Sequence, residues 1–532
     1  MPAEMLKIPE NCQRKSEKLF SYGTAGFRDK AEELDFVMYR VGVLATLRSK
    51  TLGGKYIGVM ITASHNPAED NGVKIVDPRG EMLTSEWESY ATVIVNLPDS
   101  ELTDYLAKIT AEQKIDTRSN GLVICAYDTR PSSVRFFKNV ELGVRNQNGE
   151  FVSAGVLTTP QLHYLVRSSN DSSYGENTED GYYKKLINAF IGLNSSLEFK
   201  NYTPRLIVDC ANGVGGEKLK KLAERLPDFL QIIPSNTGEG ELNKNCGADF
   251  VKIKQIVPLM SANVIIKEQK CASFDGDADR IVYFYEDNDG FHLLDGDKIA
   301  VLFAGFIQDL LKDAGFDEID VKMGVVQTAY ANGSSTYFIS RNMGIPVFCV
   351  PTGVKHLHKQ AEELDIGVYF EANGHGTTIF SQKFRNLLQK KQSSPDHSPA
   401  LKRLKNLVDL INETVGDAIS DMLVVESILR SRDWTHQVWN ALYKDLPNRQ
   451  LKVAVPDRTV ITTTDAERKC VMPEKLQPAI DHLVEVYGPQ ARAFVRPSGT
   501  EDVVRIYAEA TSQKSADKLA DEISLKIKEL LF

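Results

Sequence analysis

The sequence predicts an α/β protein in which similar strand-and-helix units recur and a smaller α+β unit closes the chain. Two observations carry this expectation. Strand-like β-branched runs alternate with helix-like stretches over most of the length, and each run ends at polar or glycine-containing residues, as where an α/β sheet delivers its loops to one edge. The length, 532 residues, sets three or four domains at about 150 residues each.

In chain order, YIGVMIT (56–62), GLVICAYD (121–128) and PRLIVDCA (204–211) read as buried strands. IVYFYED leads through a short hairpin into a helix over 294–311, with Asp295 near its start. MGVVQTAY (323–330) and IGVYFEAN (366–373) are further strand-to-loop signals. The recurrence has no fixed period. QKKQSSPDHSPALK (389–402) is polar and Pro/Ser-rich, which predicts an exposed or disordered insertion, with helical spacing resuming over 401–416. LPNRQLKV (446–453) is expected to link into the last unit, with strands near 451–455, 491–495 and 503–510 and a closing helix from about Lys514.

Hydrophobic residues at 42% and charged residues at 25% form a globular balance, which excludes wholesale disorder, collagen and coiled coil. A net charge of −9 argues against nucleic acid or an acidic membrane surface as partner, so an anionic substrate needs a local cluster of Arg and Lys. The seven cysteines form no C-x-x-C pair and read as reduced, mostly buried thiols. The N-terminus has no apolar core of signal-peptide type, and the longest apolar run, 299–307, is far short of the about 20 residues of a bilayer span. The expectation is a soluble, cytoplasmic protein.

The sharpest chemical signal is DGDADR, with Asp275, Asp277 and Asp279 at i, i+2 and i+4 in a turn between strand-like segments. Converging carboxylates need a cation to offset their repulsion, and hard oxygen ligands suit Mg²⁺. An EF-hand loop is the rival. Glu286 fills its twelfth position, but Arg280 stands at the sixth, where the sharp turn needs glycine, and a strand follows. A solvated acidic turn is the plainest alternative.

TASHNP (62–67) places Ser64 at a strand end as an exposed nucleophile. Without G-x-S-x-G or a local His–Asp relay, a protease or esterase reading is weak. Lys74 is near enough in sequence to serve the same site as charge stabiliser or proton shuttle. RPSGTED (496–502), with Arg505 beyond, offers guanidinium groups, hydroxyls and accessible backbone N–H groups, the parts of a phosphate cradle; a structural Pro-Ser-Gly turn is its alternative. In EANGHGT (371–377), Glu371 can accept from two sugar hydroxyls, Asn373 can donate and accept, and His375 can carry a proton. His356 and His358 alternate as on a strand, without a third ligand for zinc. YGTAGFR (22–28) brings Gly23 and Gly26 for close backbone approach and Arg28 as an anion contact.

A serine nucleophile, one Mg²⁺ site, a sugar-hydroxyl reader and a separate phosphate cradle together describe phosphoryl transfer on a phosphosugar. A hydrolase needs one phosphate site; a second cradle suits a substrate carrying phosphate at either end in turn.

With TASHNP, DGDADR, EANGHGT and RPSGTED in this order, the chain resembles the α-D-phosphohexomutase superfamily over nearly its whole length, and within it the N-acetylglucosamine branch. The resemblance implies three α/β domains with mixed sheets plus a smaller C-terminal α+β domain around a central cleft. It implies boundaries at 1–185 (phosphoserine loop), 186–296 (metal loop), 297–445 (sugar loop) and 446–532 (phosphate loop). It implies interconversion of N-acetylglucosamine 6-phosphate and 1-phosphate through phosphoserine and a 1,6-bisphosphate, feeding UDP-N-acetylglucosamine synthesis. Ser64 matches the phosphoserine, and its phosphate joins Asp275, Asp277 and Asp279 around Mg²⁺. Glu371, Ala372 and Asn373 match the sugar loop. Arg496, Pro497, Ser498, Gly499, Thr500 and Arg505 match the loop and strand holding the non-reacting phosphate. Arg28, His65, Lys74 and His375 match positions of proton transfer or charge stabilisation, and Arg280 a contact to substrate or phosphoserine. The implied partners are a phosphosugar and an activating sugar bisphosphate, with no nucleic acid or membrane, and the implied state is a monomer. A glucose or mannose phosphate mutase and a non-catalytic scaffold member are the rivals.

One departure from most of the superfamily separates the branches. DTRPSS (128–133) and VLTTPQLHY (156–164) follow the TASHNP loop instead of preceding it, and Asn373 stands where many glucose and mannose relatives have Ser. Both features resemble the N-acetylglucosamine branch, where an amide at 373 is suited to the 2-acetamido group.

Overall fold

The structure is a computed structural model and describes residues 7–195, 197–226, 229–260, 266–317, 319–393, 398–498 and 502–531. It divides into two compact units: Met1–Glu198 with Thr203–Asp295 and Asn406–Arg430, and Phe199–Tyr202 with Gly296–Lys405 and Ser431–Phe532.

The first unit contains two five-stranded mixed sheets. One is built from β1 (Phe27–Lys30), β2 (Tyr56–Ile61), β3 (Asp70–Val76), β4 (Gly121–Tyr127) and β5 (Gly149–Val156), in the order β1-β3-β2-β4-β5. The other is built from β6 (Arg205–Asp209), β7 (Gln231–Ser235), β8 (Cys271–Phe274), β9 (Ile281–Asp287) and β10 (Gly290–Leu294), in the order β10-β9-β8-β6-β7. The second unit has a four-stranded mixed sheet of β11 (Met323–Thr328), β12 (Val347–Val350), β13 (Ile366–Phe370) and β14 (Gly376–Phe380), in the order β12-β11-β13-β14. Its remaining strands are β15 (Asn448–Ala454), the ribbon of β16 (Thr462–Thr464) and β17 (Lys469–Met472), and β18 (Arg492–Pro497) with β19 (Val503–Glu509), the last two joining β15 in the order β15-β19-β18.

One rule places the chemistry. In each mixed sheet a single strand has a parallel neighbour on one side and its own successor, antiparallel, on the other. β2 lies between β4 and β3. β8 is linked in parallel to β6 and antiparallel to β9. β13 lies between β11 and β14. The serine, carboxylate and sugar loops are the β2–β3, β8–β9 and β13–β14 connections, each at the point where strand direction switches. RPSGTED joins β18 to β19, antiparallel neighbours in a sheet whose described pairs are all antiparallel. This is the recurrence that the sequence carries without a fixed period.

Two helix ends fix the carboxylate loop. The helix Thr159–Asn170 opens with a capping box: Gln161 N donates to Thr158 Oγ1 at 3.2 Å and Thr158 N to Gln161 Oε1 at 3.2 Å. The cap holds Thr159 in place, and its backbone N–H donates to the Asp277 carbonyl at 3.2 Å. The helix Ala418–Ser431 is capped by Asp417, which accepts from Ile419 N and Ser420 N, both at 3.1 Å. Its first N–H, on Ala418, donates to the Ala278 carbonyl at 3.0 Å, so the helix end seats the carboxylate turn from below.

Three local expectations change. His356 and His358 lie on the helix Val354–Glu362, not on a strand; β12 ends at Val350, and Gly353 with a φ of 125° starts the helix. Much of 389–402 is helical: Gln382–Gln392 caps on Ser381, and Pro399–Leu410 resumes the helix, while residues 394–397 lie outside the described ones. The linker expected over 446–453 is mostly β15, because pairing with β19 satisfies its backbone from Asn448 onward.

The helices Asp35–Thr51 and Ser133–Asn146 cross through two glycines. A Cβ on Gly42 would stand 2.3 Å from the Val140 carbonyl oxygen, and one on Gly143 would stand 2.1 Å from that of Tyr39. Backbone cannot yield as a flexible side chain can, so Gly143→Ala is expected to cost about 1–3 kcal/mol. Scanning calorimetry should show a lower unfolding midpoint for the part of the chain holding this pair; an unchanged midpoint would contradict the close approach.

Candidate active site

Ser64 follows β2 with a φ of 50°, in the left-handed region that L-residues rarely adopt. Three side chains hold it there. Ser64 N donates to Thr62 Oγ1 at 3.0 Å, and Thr62 Oγ1 donates to Asp128 Oδ2 at 2.8 Å. Arg130, fixed by Asp128 at 3.0 Å, donates through Nη2 to the carbonyls of Ser64 and Asn66, both at 2.9 Å. Its Nη1 reaches the carbonyls of Pro67 and Asp70. From the loop between β7 and the helix Ala248–Lys254, Asn243 Nδ2 donates to the same Ser64 and Asn66 carbonyls at 2.8 and 2.9 Å. Two donors on each carbonyl fix the loop backbone, and the Ser64 hydroxyl donates to Asp275 Oδ2 at 2.6 Å.

Ser64 is 2% exposed, where the sequence led us to expect an exposed nucleophile. The β8–β9 turn lies against it: a Cβ on Gly276 would stand 2.4 Å from the Ser64 carbonyl oxygen, so glycine is required there.

The three carboxylates of that turn converge. Asp275, Asp277 and Asp279 each offer an oxygen within 4.8 Å of the others, and all three are buried. Asp275 Oδ1 accepts from Asp279 N and Arg280 N at 3.0 and 3.1 Å. Thr159 Oγ1 donates to Asp277 Oδ2 at 2.6 Å, while the buried Asp277 Oδ1 has no hydrogen-bond partner. Burial, with the charges of Asp279 and Asp277, pushes the Asp275 carboxyl well above the usual carboxylate range. An orphaned buried carboxylate oxygen inside an all-oxygen cluster fits a hard divalent cation, and Mg²⁺ in particular.

Cations rim the serine and the carboxylates. Arg28 Nη1 donates to Asn66 Oδ1 at 3.1 Å, and burial, with Arg280 nearby, lowers the guanidinium's proton affinity. Lys74 Nζ is 3.7 Å from Asp279 Oδ2. Arg280 Nη1 donates to both Asp249 oxygens at 2.9 Å, and its Nε stands 3.9 and 3.8 Å from Asp275 and Asp279. His65 Nδ1 is 3.5 Å from Ser64 Oγ. Burial and the Arg280 charge pull the His65 imidazole down to about 4, so it is neutral at pH 7. This is the local cationic cluster that the acidic composition demands of an anion site.

The second unit holds the other two loops. The Glu371–His375 turn is closed by Glu371 N donating to the His375 carbonyl at 2.8 Å and Gly374 N to the Glu371 carbonyl at 2.9 Å. Asn373 joins its neighbours, donating to Glu371 Oε2 at 3.3 Å and accepting from His375 N at 3.0 Å, with Ala372 between. A Cβ on Gly296 would stand 1.8 Å from the Glu371 carbonyl oxygen, so the helix Gly296–Asp313 starts directly against this turn. In the last sheet Arg496 and Arg505 are cross-strand partners, and Pro497 faces Val504. Ser498 N donates to the Val503 carbonyl at 2.9 Å. The buried Arg505 Nε has no hydrogen-bond partner. Gly499 and Thr500 lie outside the described residues.

Thus Ser64, His65, Lys74, Arg28, Arg280 and the three aspartates come together in the first unit. Glu371, Ala372, Asn373 and His375 form one turn of the second, and Arg496 and Arg505 one strand pair. Asp128, Arg130, Thr159, Asn243 and Asp249 escape the sequence reading. The DTR and TTP segments were visible as markers of loop order, and their buried polar residues were the available signal; Asn243 and Asp249 had none.

Four family models match the chain. "Phosphoglucomutase/phosphomannomutase, alpha/beta/alpha domain I" covers residues 34–97, and its C-terminal domain covers 451–526. "Phosphoacetylglucosamine mutase AMG1, domain II" covers 173–282, and domain III covers 295–434. The phosphoacetylglucosamine mutase of Sus scrofa is 52% identical over 96% of this chain and 94% of its own length. The structure of Aspergillus fumigatus N-acetylphosphoglucosamine mutase with GlcNAc-6P and magnesium superposes with a TM-score of 0.92 at 48% identity, covering 98% of each chain. A serine-to-alanine form of the fungal protein, complexed with glucose 1,6-bisphosphate, gives a TM-score of 0.89 at 47% identity over 99% of this chain and 97% of that one.

Two outcomes follow from the geometry. Millimolar Mg²⁺ should raise the thermal midpoint of the protein, and Asp277→Asn should abolish most of that rise; an equal rise in the variant would remove Asp277 from the ligand set. Arg130→Lys, which cannot reach four carbonyls at once, should speed amide hydrogen exchange over 62–70 at least tenfold, equivalent to about 1.4 kcal/mol of lost protection, with little change in the last sheet. Unchanged protection of the loop would mean that Asn243 and Thr62 hold it alone.

Proposed function

Because the chain belongs to the phosphoacetylglucosamine mutase family, we propose that it interconverts N-acetylglucosamine 6-phosphate and N-acetylglucosamine 1-phosphate through phospho-Ser64 and a 1,6-bisphosphate. The observation that carries this reading is the Ser64 hydroxyl at 2.6 Å from Asp275 in a turn of three convergent carboxylates.

In this reading phospho-Ser64 donates to the sugar 1-hydroxyl. The O1–P bond forms as the Oγ–P bond breaks, and the hydroxyl proton passes to a base. The bisphosphate turns over, Ser64 Oγ attacks the 6-phosphate, the O6–P bond breaks, and O6 takes up a proton. Mg²⁺ held by Asp275, Asp277, Asp279 and the Ser64 phosphate supplies charge neutralisation on the transferring group. Arg28 and Arg280 add fixed positive charge around that group, and His65, neutral at pH 7, offers it a hydrogen bond. Lys74 and His375 are the candidates for moving the hydroxyl proton. Glu371 and Asn373 read the sugar hydroxyls and the acetamido group, with Ala372 spacing them. Arg496 and Arg505, with Pro497, Ser498, Gly499 and Thr500, grip the phosphate that is not reacting.

The four domains of this reading are 1–185, 186–296, 297–445 and 446–532, carrying the serine, metal, sugar and phosphate loops in turn. We read the protein further as a cytoplasmic monomer that supplies UDP-N-acetylglucosamine synthesis. Among the described residues no helix is long and apolar enough to cross a membrane.

The test is ³¹P NMR of the protein with Mg²⁺, a trace of sugar bisphosphate and N-acetylglucosamine 6-phosphate, beside a tube containing glucose 6-phosphate. The expected result is a 1-phosphate resonance that grows faster in the first tube and falls by at least about a thousandfold in rate in Ser64→Ala. Faster conversion of glucose would move the assignment to a phosphoglucomutase, and inorganic phosphate as main product to a phosphatase. Asn373→Ser should weaken turnover of the N-acetylated sugar selectively; equal losses on both sugars would refute its acetamido role.

A further inference from the structure

The segment PTGVKHLH (351–358), which carries His356 and His358, has no role in the reaction above. In the structure its Thr352 is tied to the phosphate strand by one carboxylate. Glu467 sits in the turn between β16 and β17. Its Oε2 accepts from Thr352 N at 2.9 Å and from Thr352 Oγ1 at 2.5 Å. Its Oε1 accepts from Arg496 Nη1 at 3.3 Å. The other side of the same guanidinium donates to the Tyr330 hydroxyl at 3.1 Å.

A guanidinium, a backbone N–H and a hydroxyl form the donor set that also binds a phosphate oxyanion. Here it holds a carboxylate. Both members of the Glu467–Arg496 pair are largely shielded, with side chains 19% and 16% exposed. A phosphate dianion arriving at Arg496 therefore meets a like charge at hydrogen-bonding distance from the same guanidinium, in a medium less polar than water. The two anions cannot share that face of Arg496 without repulsion. The turn is also held away from relaxed backbone: Asp465, Ala466 and Glu467 have φ values of 52°, 53° and 66°, three successive non-glycine residues in the left-handed region.

We propose that Glu467 is an internal stand-in for the substrate phosphate: it occupies Arg496 when the phosphate subsite is unfilled and is displaced when phosphosugar binds. Its role is to set affinity. By competing for Arg496 it weakens the hold on the non-reacting phosphate, which favours turning of the bisphosphate and release of product over tight binding. This rests on the assignment of Arg496 to the phosphate subsite made above.

Removing the competitor should tighten binding. Glu467→Gln keeps the shape and the bond from Thr352 but not the charge, and Glu467→Ala removes the competitor altogether. Calorimetric titration of the full chain with inorganic phosphate and with N-acetylglucosamine 6-phosphate should show the dissociation constant falling threefold or more in both variants. Steady-state turnover should show KM falling with it, while kcat holds or drops. A purely structural glutamate would give the opposite, weaker binding together with a lower unfolding midpoint, and that result would overturn the proposal. So would unchanged binding in both variants. Arg496→Ala separates this failure from that of the reading beneath it. If that variant binds as tightly as the original, Arg496 is not a phosphate ligand and both ideas fall. If it binds more weakly and Glu467→Gln does not bind more tightly, the stand-in alone fails.

Discussion

Crowding of negative charge around Ser64 is the constraint on which the first unit depends. Three buried carboxylates lie within 4.8 Å of one another, and the serine hydroxyl points at the first of them from 2.6 Å. Such a cluster is unfavourable unless cations answer it. Backbone N–H groups of residues 279 and 280, the Thr159 hydroxyl, Lys74 and Arg280 answer part of it, and a buried Asp277 oxygen is left for a metal. A phosphorylated Ser64 would add further negative charge, which explains why Arg28 and Arg280 are drawn to the rim of an otherwise acidic chain. The same charges that make the turn unfavourable alone make it selective for a hard cation beside a phosphoryl group.

Precision at this point comes from backbone topology more than from the reacting side chains. A loop joining two antiparallel neighbours at the edge of a parallel array is short, and both of its ends are pinned by sheet hydrogen bonds. The protein uses that device for the serine, carboxylate and sugar loops, and the last sheet offers the corresponding connection between two antiparallel strands. Where a loop must depart from relaxed geometry, side chains compensate. Ser64 is held at a φ of 50° by carbonyl contacts from Arg130 in the loop after β4 and Asn243 in the loop after β7. Glycine supplies further tolerance where backbones nearly touch, as at Gly276 against the serine loop and Gly296 against the sugar loop.

Much of this was legible in the sequence because the reacting groups are contiguous. DGDADR, TASHNP and EANGHGT each lie within one turn, so spacing alone reports which groups converge. The strands before them are β-branched runs whose ends mark the loops. What could not be read is long-range. Arg130 acts 66 residues from Ser64 and Asn243 acts 179 residues away. Asp249 grips Arg280 across 31 residues, and Glu467 reaches Thr352 across 115. Asn243, Asp249 and Glu467 sit in no motif, and Arg130 lies in DTRPSS, which does not by itself show which loop it holds. The expected strand at His356 and His358 failed for a different reason: a two-residue alternation is too short to outweigh a helix starting at Gly353. The expected linker at 446–453 failed because strand pairing with β19, invisible locally, turns a polar segment into an edge strand.

The account stands on Ser64 as the covalent carrier of the phosphoryl group. Incubating dephosphorylated protein with Mg²⁺ and one equivalent of ³²P-labelled glucose 1,6-bisphosphate, quenching within one turnover and mapping the labelled peptides tests that claim directly. The account predicts label on Ser64 and on no other residue, chased into sugar phosphate when N-acetylglucosamine 6-phosphate is added. Label on a different side chain, or none on protein while the sugars still exchange phosphate, would contradict it.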